Sequence, residues 1–129
     1  MAIQEHQVQG AHRRSASAGR DVRQILDVVA GKWAILILEQ LGVRTLRFSE
    51  LQRAVPGVSP RMLTRTLRQL ERDGMIKRTL QAGVPPRTDY QLTELGTTAL
   101  GPVRALSDWA RAYCDAILVN QASYDEQPR

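Results

Sequence analysis

The stretch SPRMLTRTLRQLERDG, residues 59–74, predicts a helix with two chemically different faces. Ser59 is a good N-cap, and Pro60 suits the first helical position because the N–H that it lacks is not needed there. On a helix, the large apolar side chains fall on one side: Met62, Leu63, Leu67 and Leu70. The arginines form a ridge on the other side, at Arg61, Arg65, Arg68 and Arg72. No carboxylate falls within this ridge, and Glu71 and Asp73 come only at the end of the helix. The face therefore differs from an ordinary solvated helix face, which mixes both signs of charge.

The residues before this stretch predict a second helix and a tight turn. The pattern SELQ, residues 49–52, is typical of a capping box, with Ser49 as the cap and Gln52 reaching back to its backbone amide. Pro56 and Gly57 end this helix. Two helices joined by a short turn that contains glycine form a helix-turn-helix motif.

The residues after the stretch predict a β-hairpin. Residues 75–80 and 87–92 suit strands, and the sequence AGVPP between them suits a loop. A hairpin that follows a recognition helix is a wing, predicted here over residues 76–92. Its basic residues are Lys77, Arg78 and Arg87. Wing tips commonly follow the DNA backbone or enter the minor groove. For Arg87 taken alone, a solvent-exposed turn without a DNA contact remains an alternative interpretation.

The flanking segments complete one predicted domain, residues 20–120. Residues 1–19 are predicted to be a flexible arm, residues 21–42 one helix that ends at Gly42, residues 103–119 the last helix, and residues 121–129 a frayed polar tail. Thr93 is predicted to cap a short helix before the last one. The fold class is therefore mainly α with a small β-hairpin (α+β), a winged helix-turn-helix whose terminal helices form a dimer interface.

Charge and composition limit the function classes. The chain has 129 residues and a formal net charge of +5. Residues 44–78 hold nine basic and three acidic residues, a net +6, so the rest sums to −1. The predicted partner is therefore a polyanion, with double-stranded DNA favoured over an acidic membrane. His6 and His12 both lie in the arm, and the chain shows no catalytic or metal-ligand motif, so we expect neither an enzyme nor a cofactor.

The basic face suits duplex DNA because the planar guanidinium fork matches both phosphate oxygens and the guanine edge in the major groove. The predicted DNA-binding residues of the helix are Ser59, Arg61, Thr64, Arg65 and Arg68. Two alternatives stay open: a solvated basic face, and a winged-helix protein-interaction module that binds no DNA.

Four segments together resemble the HxlR-type winged helix-turn-helix transcriptional regulators, over roughly residues 22–109. They are LDVVAGKWAILILEQL, RFSEL, VPGVSPRMLTRTLRQLERDGMI and VPPRTDYQLTELG. The resemblance implies a homodimeric regulator of the broad MarR-like kind, a repressor or an activator, with the first and last helices in the dimer interface. It also places the five helix residues in the major groove, and Lys77 and Arg87 on the wing.

One departure from that family pattern concerns redox sensing. Many relatives have Cys-Pro-Val before the first helix, where this chain has Arg20, Asp21 and Val22. A switch of that type is therefore not expected. The single cysteine, Cys114, is interpreted as a buried structural thiol, with a regulatory thiol as the alternative, and it fits a reducing cytoplasm.

The last helix carries an apolar stripe that needs a surface to cover it. Its members are Val103, Leu106, Ala110, Tyr113 and Ile117. Packing within one chain and a two-fold interface are both open, and the second would suit a palindromic operator. A further hypothesis is an unidentified small-molecule effector that binds a pocket at the dimer interface, between the first helix, the wing and the dimer helices. The candidate wall residues of this pocket are equally well explained as core: Trp33, Phe48, Trp109 and Tyr113.

Overall fold

The computed structural model describes the backbone of residues 15–128 and the side chains of residues 21–128. Residues 1–14, which make up most of the predicted arm, lie outside the described residues. The elements follow in the order α1 Ser15–Val29, α2 Lys32–Leu41, β1 Leu46–Arg47, α3 Phe48–Ala54, α4 Pro60–Arg72, β2 Ile76–Gln81, β3 Arg87–Leu92, α5 Glu94–Thr98 and α6 Leu100–Glu126.

The first helical region differs from the prediction. Instead of one helix over residues 21–42 there are two, and α1 begins at Ser15, within the predicted arm. The break occurs at Gly31, whose extended backbone (φ −65°, ψ 145°) makes it the N-cap of α2. The apolar three- and four-residue steps run on across this break, so periodicity alone could not show it.

The helix-turn-helix prediction is confirmed by α3 and α4. Gly57 in the turn has φ +88°, a conformation that side chains with a Cβ rarely adopt. Ser59 caps α4 as predicted, because its hydroxyl accepts a hydrogen bond of 3.1 Å from the Met62 N–H. The predicted cap of α3 was wrong: α3 begins at Phe48, and the Glu50 carboxylate accepts from the Arg47 N–H at 2.9 Å.

The predicted hairpin is present and belongs to a three-stranded antiparallel sheet of order β1-β3-β2. Its register pairs Ile76 with Leu92 at the base and Gln81 with Arg87 at the tip. The third strand, β1, pairs Leu46 with Tyr90 and was not predicted as a sheet member. This pairing joins the segment before α3 to the hairpin, so the wing is fixed to the helix-turn-helix.

One core connects these elements. Its fully buried side chains come from α2, β1, α3 and α4 and the turn after α3: Ile37, Leu38, Leu46, Leu51, Val55, Leu63, Leu67 and Leu70. The last helix adds Leu100 and Val103, and it runs to Glu126. Most of the predicted frayed tail is therefore helical. Within residues 15–128, no helix combines the length and apolarity needed to cross a bilayer.

Candidate nucleic-acid interface

The inner face of α4 fixes the helix in the core. Leu63, Leu67 and Leu70 are at most 2% exposed, and Met62 is half-buried beside them. Burying a large aliphatic side chain stabilises a fold by about 1.5–3 kcal/mol. Three such side chains along one stripe determine which side of α4 faces outward.

The outer face of α4 is basic and open. Arg61, Arg65 and Arg68 are exposed and border one concavity along the helix, together with Thr64 and Arg72. Within residues 21–128, none of the three has an ion-pair partner. Their guanidinium groups are therefore available to an external anion.

Two hydroxyl groups of this face already have partners on α4. The Thr64 hydroxyl donates to the Pro60 carbonyl oxygen at 2.8 Å, and the Ser59 oxygen accepts from the Met62 N–H. Thr64 therefore presents its oxygen lone pairs and methyl group, rather than a free donor, to a ligand. Ser59 acts first as the helix cap.

The wing lies directly beside this face, and its two arginines are paired. Arg78 Nε is 3.6 Å from Glu71 Oε1 at the end of α4, and Arg87 Nε is 3.4 Å from Asp89 Oδ1 on the same strand. Lys77 is exposed on β2. The sequence could not show the Glu71 pairing, because it joins a helix to a strand.

The junction between α4 and the sheet forms a cavity of about 260 Å³. Arg68 and Arg78 both line it, together with Tyr90. Burial raises the pKa of the Tyr90 hydroxyl, and the positive charge of Arg78 opposes this effect. The hydroxyl therefore stays neutral. Because Arg68 and Arg78 line the same cavity, the base of the wing and the basic face of α4 form one continuous surface.

A separate cluster holds the start of α3. Glu50 accepts from the Arg47 N–H and from Arg44 Nη1, the latter at 3.1 Å. These hydrogen bonds, with the nearby positive charges, lower the pKa of Glu50 to about 2. Arg44 is therefore held by Glu50 rather than free on the basic surface.

A helix-turn-helix with an open arginine face and an adjoining hairpin is the arrangement of a winged-helix DNA-binding domain. The family model for the HxlR-like helix-turn-helix matches residues 28–118. The chain belongs to the HxlR-like helix-turn-helix family.

Individual transcriptional regulators to which the chain is similar agree with this assignment. An uncharacterized HTH-type transcriptional regulator of Methanothermobacter thermautotrophicus is 44% identical over 92 residues, which cover 71% of this chain and 70% of the relative. The structure assigned as the transcriptional regulator ytfH of Salmonella typhimurium is 39% identical, covers 78% of this chain and 90% of that chain, and superposes with a TM-score of 0.74. The structure of the redox regulator HypR in its reduced form is 35% identical. It covers 77% of this chain and 98% of that chain, and superposes with a TM-score of 0.70.

These findings confirm the predicted HxlR-type winged helix-turn-helix fold. They also confirm the prediction that the chain is a helix-turn-helix transcriptional regulator rather than an enzyme. The resemblance seen in the sequence is likewise confirmed.

The apolar stripe of α6 in this HxlR-like chain is exposed, with one exception. Leu106, Tyr113 and Ile117 are 46%, 55% and 37% exposed, and Ala110 lies open between them. Val103 was wrongly assigned to the stripe: it is 5% exposed and belongs to the core of its own chain. Sequence reasoning also missed three exposed apolar side chains on α1, Val22, Ile25 and Leu26.

The four candidate effector-wall residues do not meet in the described chain. Trp33 lines a cavity of about 330 Å³ with Met62 and Arg65, whereas Phe48 lines the cavity beside Tyr90. Trp109 and Tyr113 are neighbours on α6, with ring centroids 6.0 Å apart, and both are more than half exposed. The four residues therefore form no single pocket within one chain, and an effector pocket at the dimer interface stays a prediction.

Cys114 is exposed on α6, so the prediction of a buried thiol was also wrong for the single chain. Its sequence neighbours on the helix are exposed as well, and the core does not reach it.

Proposed function

We propose that this HxlR-like regulator is a homodimeric repressor that binds a palindromic operator, with α4 in the major groove of each half-site and the hairpin on the adjacent backbone or minor groove. One observation carries the proposal: Arg61, Arg65 and Arg68 are exposed and have no ion-pair partner within residues 21–128, on the face opposite the buried leucines.

The chemistry of α4 favours base reading as well as charge neutralisation. An exposed guanidinium can donate two parallel hydrogen bonds to the O6 and N7 atoms of guanine. Arg65 and Arg68 lie in the middle of α4, and Arg61 lies in its first turn near the helix N-terminus, where backbone amides favour phosphate. We therefore assign base contacts to Arg65 and Arg68, and backbone contacts to Arg61 and the Ser59 end of the helix.

The hairpin supports a second contact. Lys77 is exposed, and Arg87 lies at the tip, where β3 begins. An arginine at a wing tip suits a narrow minor groove because the negative potential there is enhanced. The paired carboxylate of Asp89 does not prevent this, since exposed ion pairs contribute at most about 1 kcal/mol.

The proposed dimer accounts for the exposed apolar side chains of α6. Leu106, Tyr113 and Ile117 follow one another at seven- and four-residue steps, so they form a continuous stripe. A two-fold interface would cover that stripe on both chains. The same symmetry presents two copies of α4 to successive major grooves of a palindrome, about 34 Å apart.

The test begins with selection of bound fragments from genomic DNA, followed by binding measurements at several salt concentrations. We expect an inverted repeat, a steep fall in affinity with salt, and binding to the selected site at least about a thousandfold tighter than to random DNA. Equal affinity for both DNAs would refute sequence-specific binding. In transcription assays on the selected promoter, added protein should lower transcript yield, and an increase would refute repression.

A further inference from the structure

One polar cluster joins α2 to α6: the Glu39 cluster, formed by Glu39, Ser107 and Arg111. The Ser107 hydroxyl donates to Glu39 Oε1 at 2.9 Å, and Arg111 Nη2 lies 3.7 Å from Glu39 Oε2. Asp108 accepts from Arg111 Nη1 at 3.1 Å and so orients the guanidinium. Glu39 lies on α2, with 19% of its side chain exposed.

The cluster is the second of two supports for α6. The first is apolar: Leu100 and Val103 are buried, and Gly42 at the end of α2 approaches Leu100 so closely that an added Cβ would lie 2.9 Å from its Cδ2 atom. The cluster lies one to two turns farther along, at Ser107 and Arg111. Between Val103 and Arg111 the helix rises about 12 Å, and two supports so separated fix an axis where one would allow a hinge.

Beyond the cluster, α6 continues with exposed side chains. Every side chain from Asp108 to Pro128 is exposed, and the helix extends to Glu126. That segment is about 28 Å long. Without the cluster, α6 would pivot at Val103. A tilt of about 10° would then move Ile117, about 21 Å farther along the helix, by about 4 Å, which exceeds the roughly 3.4 Å rise of one base pair.

We propose that Glu39 is a positioning residue that fixes the angle between α6 and the DNA-binding elements, and thereby sets the half-site spacing that the dimer accepts. This inference rests on the proposed dimer. Because α6 carries the proposed interface on a different face, with Leu106 and Tyr113, the Glu39 cluster connects the interface to α2 without belonging to it.

The first measurement is the distance between the two copies of α3, which requires no knowledge of the operator. Cys114 is the one cysteine of the chain, so a spin label can be placed at the exposed Arg53 as Arg53→Cys in a Cys114→Ser background. For the full-length dimer, pulsed electron paramagnetic resonance should give one narrow distribution of the distance between the two spin labels. Glu39→Ala should shift that distance or broaden its distribution, because α6 would no longer be held at one angle to α2.

The second measurement is binding to DNA with two half-sites at graded separations. The wild type should prefer one spacing by about tenfold over a spacing changed by one or two base pairs. Glu39→Ala should reduce this preference to about twofold while leaving affinity for a single half-site unchanged. A role in stability alone would lower affinity at every spacing equally.

Two milder variants and one control complete the design. Ser107→Ala removes the hydrogen bond, and Glu39→Gln removes the ion pair, so the proposal remains testable if Glu39→Ala does not fold. Glu94→Gln is the matched control, an exposed carboxylate on α5 outside the cluster, and should behave as the wild type. Unchanged distances and spacing preference in folded, dimeric Glu39 and Ser107 variants would overturn the proposal alone. A monomeric wild type would instead overturn the proposed dimer, and the inference with it.

Discussion

Arg65→Ala tests whether α4 reads bases. Arg65 is exposed and has no ion pair within residues 21–128, so its removal should change the free energy of unfolding by no more than about 0.5 kcal/mol. Removing a bidentate hydrogen-bonded arginine from a base costs about 1–3 kcal/mol, and a dimer that uses both copies would lose about 2–6 kcal/mol. The lower bound corresponds to roughly a 30-fold loss of operator affinity.

The assay is fluorescence anisotropy with the operator and with a scrambled duplex at three salt concentrations. Arg65→Ala should weaken operator binding much more than scrambled binding, so the ratio between them should fall. Lys77→Ala, by contrast, should weaken both equally and reduce the salt slope by about 0.9 for each phosphate that the protein no longer neutralises. Arg104→Ala, an exposed arginine on α6, should change neither.

Two results would refute the reasoning. If Arg65→Ala weakens the operator and the scrambled duplex by the same factor, Arg65 binds only the DNA backbone. If it changes neither, α4 is not the DNA-binding surface.

Three further predictions concern stability and assembly. Leu67→Ala should lower the free energy of unfolding by about 2–5 kcal/mol in urea titrations, since the side chain is 2% exposed; a loss below about 1 kcal/mol would contradict its burial. The free energy of unfolding of the wild type should fall as the pH is lowered from 4.5 toward 2, because protonation of Glu50 removes its hydrogen bond from the Arg47 N–H. Glu50→Gln should lack this part of the pH dependence. Parallel plots of unfolding free energy against pH for the two proteins would contradict the prediction. Tyr113→Asp should sediment as a monomer at micromolar concentration, and a stable dimer would exclude α6 from the interface.

The central part of the fold was predictable because its signals are local. Ser59 with Pro60 starts α4, Pro56 with Gly57 ends α3, and a loop with two prolines joins the strands, so each boundary is set by a residue's own backbone preference. The arginine face was predictable for the same reason, because one helix alone determines which side chains share a face.

The errors arose where tertiary packing or a neighbouring element decides the outcome. Gly31 ends one helix region and caps the next without interrupting the apolar periodicity. Val103 shares a stripe with Leu106 by spacing, yet the packing of α2 buries one and leaves the other exposed. The Glu71–Arg78 pair and the Glu39 cluster join residues of different elements, so no single-segment pattern reveals them.

The pairing of Arg78 and Arg87 with carboxylates implies that the wing and α4 respond differently to ionic strength. To bind DNA, each wing arginine would exchange its carboxylate partner for a phosphate. Salt weakens both the ion pair that is lost and the phosphate contact that is gained. The net number of counterions released for each wing arginine is therefore small. On α4, where no such exchange takes place, the full release is retained. The slope of log affinity against log salt in the unmutated protein should then be shallower than the number of basic residues at the interface alone would give.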